Sequence, residues 1–187
     1  FMKTLLLFVF RLVQYVPLLF TAIILQIIAM SFSWLIALFV NKATGNLPTF
    51  LRWFQTPDAT CYDEMWVAEH PEWSKYTIAR TWIARNPAYG FRKWIGPKNL
   101  NPEFAVLYGN KDIADGEHGV AGHFLVVYKE TGHWNFSYVR EIKGKNKCYR
   151  GELGWYLLPL VKGYDSVNTG MLQSDPFRFY NFGVKGD

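Results

Sequence analysis

From Thr4 to Val40 the chain is apolar on every helical face, with one formal charge, Arg11, and no acidic residue before Asp58. A bilayer's hydrocarbon core is about 30 Å thick and takes roughly 20 apolar residues of helix at about 1.5 Å each. The 37 residues of the run are too many for one upright span and too few for two spans with a turn. Pro17 divides the run, because proline sits without strain in the first turn of a helix. The pattern therefore predicts a span over Val16 to Val40. Before it, Met2 to Tyr15 carries Lys3, Arg11 and Gln14 among Leu and Phe, which fits a helix lying at the interface or continuing the span with tilt. A re-entrant hairpin folded at Pro17 is the alternative. A cleaved signal peptide fits less well, since its core holds about 7 to 15 residues and no small-x-small site follows this run.

Beyond the apolar run the periodicity is helical and then alternating. Pro71 to Asn86 predicts a helix that starts on proline and stops before Pro87. Trp73, Tyr76, Ala79, Trp82 and Ile83 recur there at helical spacing, with Lys75, Arg80 and Arg85 on other faces. Such a helix either lies on a membrane, aromatic side inward and basic residues at the phosphates, or is an ordinary amphipathic helix packed on the domain core. Asp58, Asp63 and Glu64 read as the acidic start of a short helix through Trp66. From Phe104 onward the alternation predicts strands over Phe104–Tyr108, His123–Tyr128, Trp134–Tyr138, Cys148–Leu158 and Phe177–Phe182. Trp134, Phe136 and Tyr138 share one strand face.

These elements define an α+β fold: an N-terminal transmembrane helix, aromatic-rich amphipathic helices, then a four- or five-stranded antiparallel β-meander with one face under the aromatic helices. The expected organisation is a membrane anchor over residues 1–45 and a single α+β domain over 46–187. Within that domain, 46–100 is mainly helical and juxtamembrane, and 101–187 mainly β.

The net charge of +5 changes meaning once it is divided along the chain. Residues 1–57 hold Lys3, Arg11, Lys42 and Arg52 with no acid, whereas 58–187 hold 16 basic and 15 acidic side chains. The basic excess belongs to the apolar segment, where anionic head groups account for it. A nucleic-acid face would instead show clustered Lys and Arg in the folded domain, so no nucleic-acid partner is expected. Lys3 with Arg11 balances Lys42 with Arg52 across the span, so the charge rule does not orient it. Cys61 and Cys148 are too few for a disulfide framework and read as small buried hydrophobes, which favours a cytoplasmic soluble part.

Aromatic residues make up 18% of the chain, and five of the eight tryptophans fall between Trp53 and Trp94. Trp and Tyr collect where one end of the side chain is dry and the other wet. The candidate binding residues are therefore Trp53, Phe54, Trp66, Trp73, Trp82, Arg85, Tyr89, Phe91 and Trp94.

Catalytic chemistry is thin. Glu117, His118 and His123 lie near Asp112 and Asp115 and form the one local collection with metal-site character. Gly116, Gly119 and Gly122 make that segment a loop, so the histidines lack the i, i+4 helical spacing of a zinc site, and a solvated turn reads better. Neither Ser137 nor Ser166 sits in a nucleophile elbow, and no phosphate-binding loop is present. No cofactor is implied.

Four strings add to this reading. Trp53-Phe-Gln-Thr-Pro-Asp58, Arg85-Asn-Pro-Ala-Tyr-Gly-Phe91, Gly132-His-Trp134 and Leu153-Gly-Trp155, in that order, resemble a group of small uncharacterised proteins encoded by tailed bacteriophages. The likeness runs from Pro48 to Trp155 and implies a phage origin and a bacterial host membrane, without supplying an activity or catalytic residues. Physically, Thr56-Pro57 makes a rigid turn leaving the membrane, and Gly90 permits a positive φ before Phe91 and Trp94 dock.

The leading expectation is a non-enzymatic membrane-anchored protein with lipid and protein partners at the host inner membrane. A virion or ejection component is the second. The third is a lipid- or cell-wall-acting enzyme using Glu117, His118 and His123.

Overall fold

The structure, a computed structural model, describes residues 2–113 and 119–183. The chain forms two compact units, Phe1–Val16 with Gly96–Asp187, and Pro17–Ile95.

Helix α1 runs without interruption over Met2–Ser31, 30 residues, with Pro17 inside it. At about 1.5 Å per residue it is about 45 Å long. Neither a helix start nor a hairpin forms at Pro17. Proline removes one intrahelical donor, but the flanking Leu, Ile and Phe keep the helix going, and the Thr21 hydroxyl donates to the Pro17 carbonyl at 2.9 Å. Tyr15, Ala22 and Ala29, seven residues apart and so on one face, are buried. Val9, Phe10, Val13, Phe20, Ile24 and Ile27 are between 49% and 69% exposed. This inverts the pattern of a water-facing helix, whose outward side is polar.

In the unit Pro17–Ile95, α1 gives way after Phe32 to α2 (Ser33–Ile36) and a 3₁₀ turn over Ala37–Phe39. A 3₁₀ stretch over Thr49–Phe54 precedes α3 (Glu64–Glu69), α4 (Lys75–Arg85) and α5 (Tyr89–Trp94). Asp63 caps α3 by accepting from Trp66 N at 3.1 Å, so the acidic start predicted there is an N-cap. Ser74 caps α4, accepting from Thr77 N at 3.2 Å. The cap makes α4 shorter than the predicted Pro71–Asn86 and leaves Trp73 outside it. The buried side of α4 is Ile78, Ala79 and Ile83 rather than its aromatics. Ala79 and Ile83 join Ala29, Ile36, Val40 and Leu47 in one core, with Trp82 packed against it. The core-packed reading of this helix is the one the structure adopts.

In the other unit five strands form one antiparallel sheet in chain order: β1 (Ala105–Gly109), β2 (Gly122–Tyr128), β3 (Trp134–Glu141), β4 (Lys147–Trp155) and β5 (Leu172–Asn181). Register places Leu125 opposite Phe136 and Val127 opposite Trp134 on one face, and Phe124 opposite Ser137 and Val126 opposite Asn135 on the other. Strand β4 ends at Trp155, short of the predicted Leu158, because Leu158–Lys162 forms a short helix, α6, with Pro159 in its first turn. Strand β5 starts five residues before Phe177 and contains Pro176, which an edge strand tolerates.

The first half of α1 lies on the Trp134 face. The Tyr15 ring centroid is 5.1 Å from that of Trp134 and 5.7 Å from that of Trp155, and Phe8 is 6.5 Å from Trp134. Gly132 makes this seating possible: at φ 72° a Cβ there would sit 2.3 Å from the Leu7 carbonyl carbon. The compact units divide the chain elsewhere than at residue 45. Residues 1–16 group with the sheet, and 17–95 form a helical unit, because α1 supplies side chains that close the core of the sheet.

Candidate interaction surfaces

The four sequence strings meet in pairs, one pair in each unit. In the helical unit Gly90 of α5 abuts the 3₁₀ stretch, where a Cβ would lie 2.1 Å from Arg52 O and 2.7 Å from Gln55 O. The positive φ expected at Gly90 instead falls on Ala88, at 57°. Glycine is required at 90 for close backbone approach, not for its dihedral freedom. Gln55 is buried and locks the same corner, accepting from Leu47 N at 2.9 Å and donating to Asn46 Oδ1 at 2.8 Å and Ala59 O at 3.0 Å. In the sheet unit the His133 ring meets Trp155 edge-on at 4.7 Å, and the Trp134 ring lies on Gly154.

The corner at Gly90 assembles the first aromatic cluster. Trp53 stands 5.6 Å from Phe91 and 5.3 Å from Trp94, ring centre to ring centre. Phe91 is buried, whereas Trp94 is 57% and Trp53 40% exposed. Phe39 and Phe50, also exposed, pair at 6.2 Å. Phe54 turns inward onto the unit's core. Tyr89 stacks with the Arg92 guanidinium at 5.4 Å.

The second cluster is built by α3, α4 and the turn between them. Trp66 donates from Nε1 to the Thr81 hydroxyl at 3.2 Å, which fixes its ring. Around it stand His70 at 4.4 Å, Trp73 at 6.0 Å and Trp82 at 6.1 Å, with the Arg85 guanidinium 4.5 Å over its face. His70 and Trp73 stack nearly parallel at 3.8 Å. A cleft of about 150 Å³ beside Trp66 and Trp82 is bordered by Asp63, Glu69 and Arg85. A cation over an aromatic face contributes about 0.5–1 kcal/mol at exposed sites. Seven of the nine predicted binding residues thus fall into two clusters, and Phe54 and Tyr89 into neither.

His123 lies on β2, opposite Tyr138. Glu117, His118 and Asp115 lie outside the described residues. Among the described residues no three His, Cys, Asp or Glu side chains gather as a metal site. Cys61 and Cys148 are buried and not bonded to one another. Burial pushes the Cys61 thiol up to about 12, against a smaller opposing pull from Arg52.

A polar group beneath α1, buried at Tyr15 and His133 and half-buried at Arg11, Gln14 and Thr131, has no counterpart in the sequence reading. Arg11 Nε donates to Thr131 O at 3.1 Å, and Nη1 to the Gln14 side chain. The Thr131 hydroxyl lies 2.6 Å from His133 Nδ1, and Tyr15 donates to Gln173 O at 2.6 Å. Burial, then the Arg11 charge, pulls the His133 imidazole down to about 3, so it is neutral at ordinary pH. The one sequence signal was a lone arginine in an apolar run. Beside it, Thr4, Phe8, Val106, Leu125, Val127 and Lys129 line a groove of about 470 Å³.

Together these features define an α+β protein with an apolar N-terminal helix, long and apolar enough to cross a membrane, and exposed aromatic clusters. The chain belongs to DUF7338, a family of unknown function, whose model matches residues 7–181. The match begins inside α1 and ends with β5, so most of the helix and the whole sheet lie within it. No curated protein and no solved structure matches the chain.

Proposed function

We propose that this is a non-enzymatic phage protein, held at the inner membrane of the bacterial host by α1, whose aromatic clusters bind a host membrane protein from the cytoplasmic side. Excluding a second phage or altering a host membrane complex are roles of this kind. The observation that carries the proposal is the outward side of Trp53, Trp94 and Phe50, exposed by 40%, 57% and 71% in a unit whose own core is already closed. Exposed Trp beside Arg is the composition of binding hot spots. The phage and host assignments rest on the four strings and their order.

The test is affinity capture of the full chain from host membranes in mild detergent, beside Trp53→Ala/Trp94→Ala. One membrane protein recovered in near-equal amount, and lost with the double variant, is the expected result. Capture of nothing, or the same protein recovered by both forms, contradicts it. Mass spectrometry of purified virions finding many copies per particle would move the assignment to a structural component.

A further inference from the structure

We propose that α1 lies along the membrane surface, in the plane of the bilayer, with its outward face sunk among the head groups and upper acyl chains, rather than crossing. The inference rests on the membrane reading above and adds the geometry of contact.

A crossing helix must be ringed by lipid or by protein that itself tolerates hydrocarbon, over roughly 20 residues. Beyond Val16, α1 has 15 residues left, Pro17–Ser31, or about 22 Å against a core of about 30 Å. The chain then turns at Phe32 and continues as four-residue and three-residue helical pieces. A crossing would therefore have to use the residues before Pro17. Those residues carry the sheet: Arg11 is bonded to Thr131 O, Tyr15 to Gln173 O, and the Leu7 backbone touches Gly132. The adjoining turn bears the charged residues Lys129 and Glu130, both exposed. Charged, irregular backbone of that kind does not enter hydrocarbon. Lipid reaches only the outward face.

That face has the chemistry of an acyl-chain contact. Leu6, Val9, Phe10, Val13, Phe20 and Ile24 are between 49% and 66% exposed except Val13, at 69%. Soluble monomers rarely expose a contiguous apolar patch beyond a few hundred Å², and this one follows a helix about 45 Å long. Thr21, exposed among them, has its hydroxyl bonded back to Pro17 O. A second copy of the chain is a poorer occupant. Close helix pairing uses small residues, and Ala22 and Ala29 are turned inward and buried. Residues 1–57 contain no acid, and Lys3, Lys42 and Arg52 within that stretch are exposed, a charge balance that suits anionic head groups.

Spin labels placed singly by Val9→Cys, Val13→Cys, Phe20→Cys, Ile24→Cys and Ile27→Cys test this in the full chain on phosphatidylglycerol–phosphatidylethanolamine vesicles. The native thiols are buried, and the unsubstituted protein should take up no label. The expected result is one shallow depth, about 5–10 Å below the head groups, at all five positions. Depth that changes steadily along the helix, by about 27 Å between positions 9 and 27 for an upright crossing, overturns the in-plane geometry while keeping the membrane reading. Water-exposed labels on protein that does not float with vesicles overturn both. Labels protected from water in vesicle-free dimers, with no lipid contact, assign the face to a second copy and also overturn the proposal.

Discussion

Two tryptophan pairs, Trp134 with Trp155 in the sheet unit and Trp53 with Trp94 in the helical unit, differ in burial far more than in composition. Trp134 and Trp155 in the sheet unit are 5% and 0% exposed, packed under Tyr15 and Phe8. Trp53 and Trp94 in the helical unit also touch ring to ring, yet keep 40% and 57% of their surface open. The sheet-unit pair is core, closed by residues of α1. The helical-unit pair has a closed back, Phe91, and an open front. A Trp-rich sequence therefore does not by itself identify an interface.

The sharpest way to break this contrast is truncation in the dry cluster. Trp155→Ala should cost about 3–5 kcal/mol, as large-to-small changes at fully buried aromatics do, measured by chemical denaturation. Next is Gly132→Ala, where strain at positive φ adds to a clash with the Leu7 backbone. A loss of about 1–3 kcal/mol is expected, together with loosening of residues 2–16 in hydrogen exchange.

Acid should act on the sheet unit through His133. Its imidazole is held down to about 3 when folded, whereas an unfolded histidine titrates near 6.5. The unfolded state therefore binds the proton first. Stability from this site is complete above about pH 6.5 and declines by about 1.4 kcal/mol per pH unit as pH falls towards 3. His133→Gln should flatten that slope between pH 6 and 4 in denaturation curves. The smallest stability effect belongs to the open cluster. Trp94→Ala should change stability by about 0.5 kcal/mol or less while lowering partner recovery several-fold.

Much of the sheet was legible because alternation is a local signal: Trp134, Phe136 and Tyr138 fall on one face as their spacing requires. The start of β5 was not, since Gln173, Ser174 and Asp175 are polar without alternation and are followed by Pro176, and only the pairing of those three with β4 makes them strand. Helix α1 hid its two sides because nearly every position is apolar. What marks the inward side is small size or polarity at Arg11, Tyr15, Ala22 and Ala29, the reverse of the usual rule. Of the interaction surfaces, the residue types were legible and their grouping was not. Trp66 and Arg85 meet across 19 positions, and Arg11 reaches Thr131 across 120. Gly90 was singled out correctly for the wrong reason, because a backbone neighbour 38 positions away, Arg52, is invisible to local turn chemistry.

The central claim is that α1 divides its surface, one side belonging to the folded protein and the other to lipid. Flotation of full-length Val13→Glu with anionic vesicles tests it most directly, since Val13 is 69% exposed. The account predicts unchanged circular dichroism and unfolding midpoint with flotation reduced at least tenfold. A variant that unfolds, or that floats as well as the original, contradicts it.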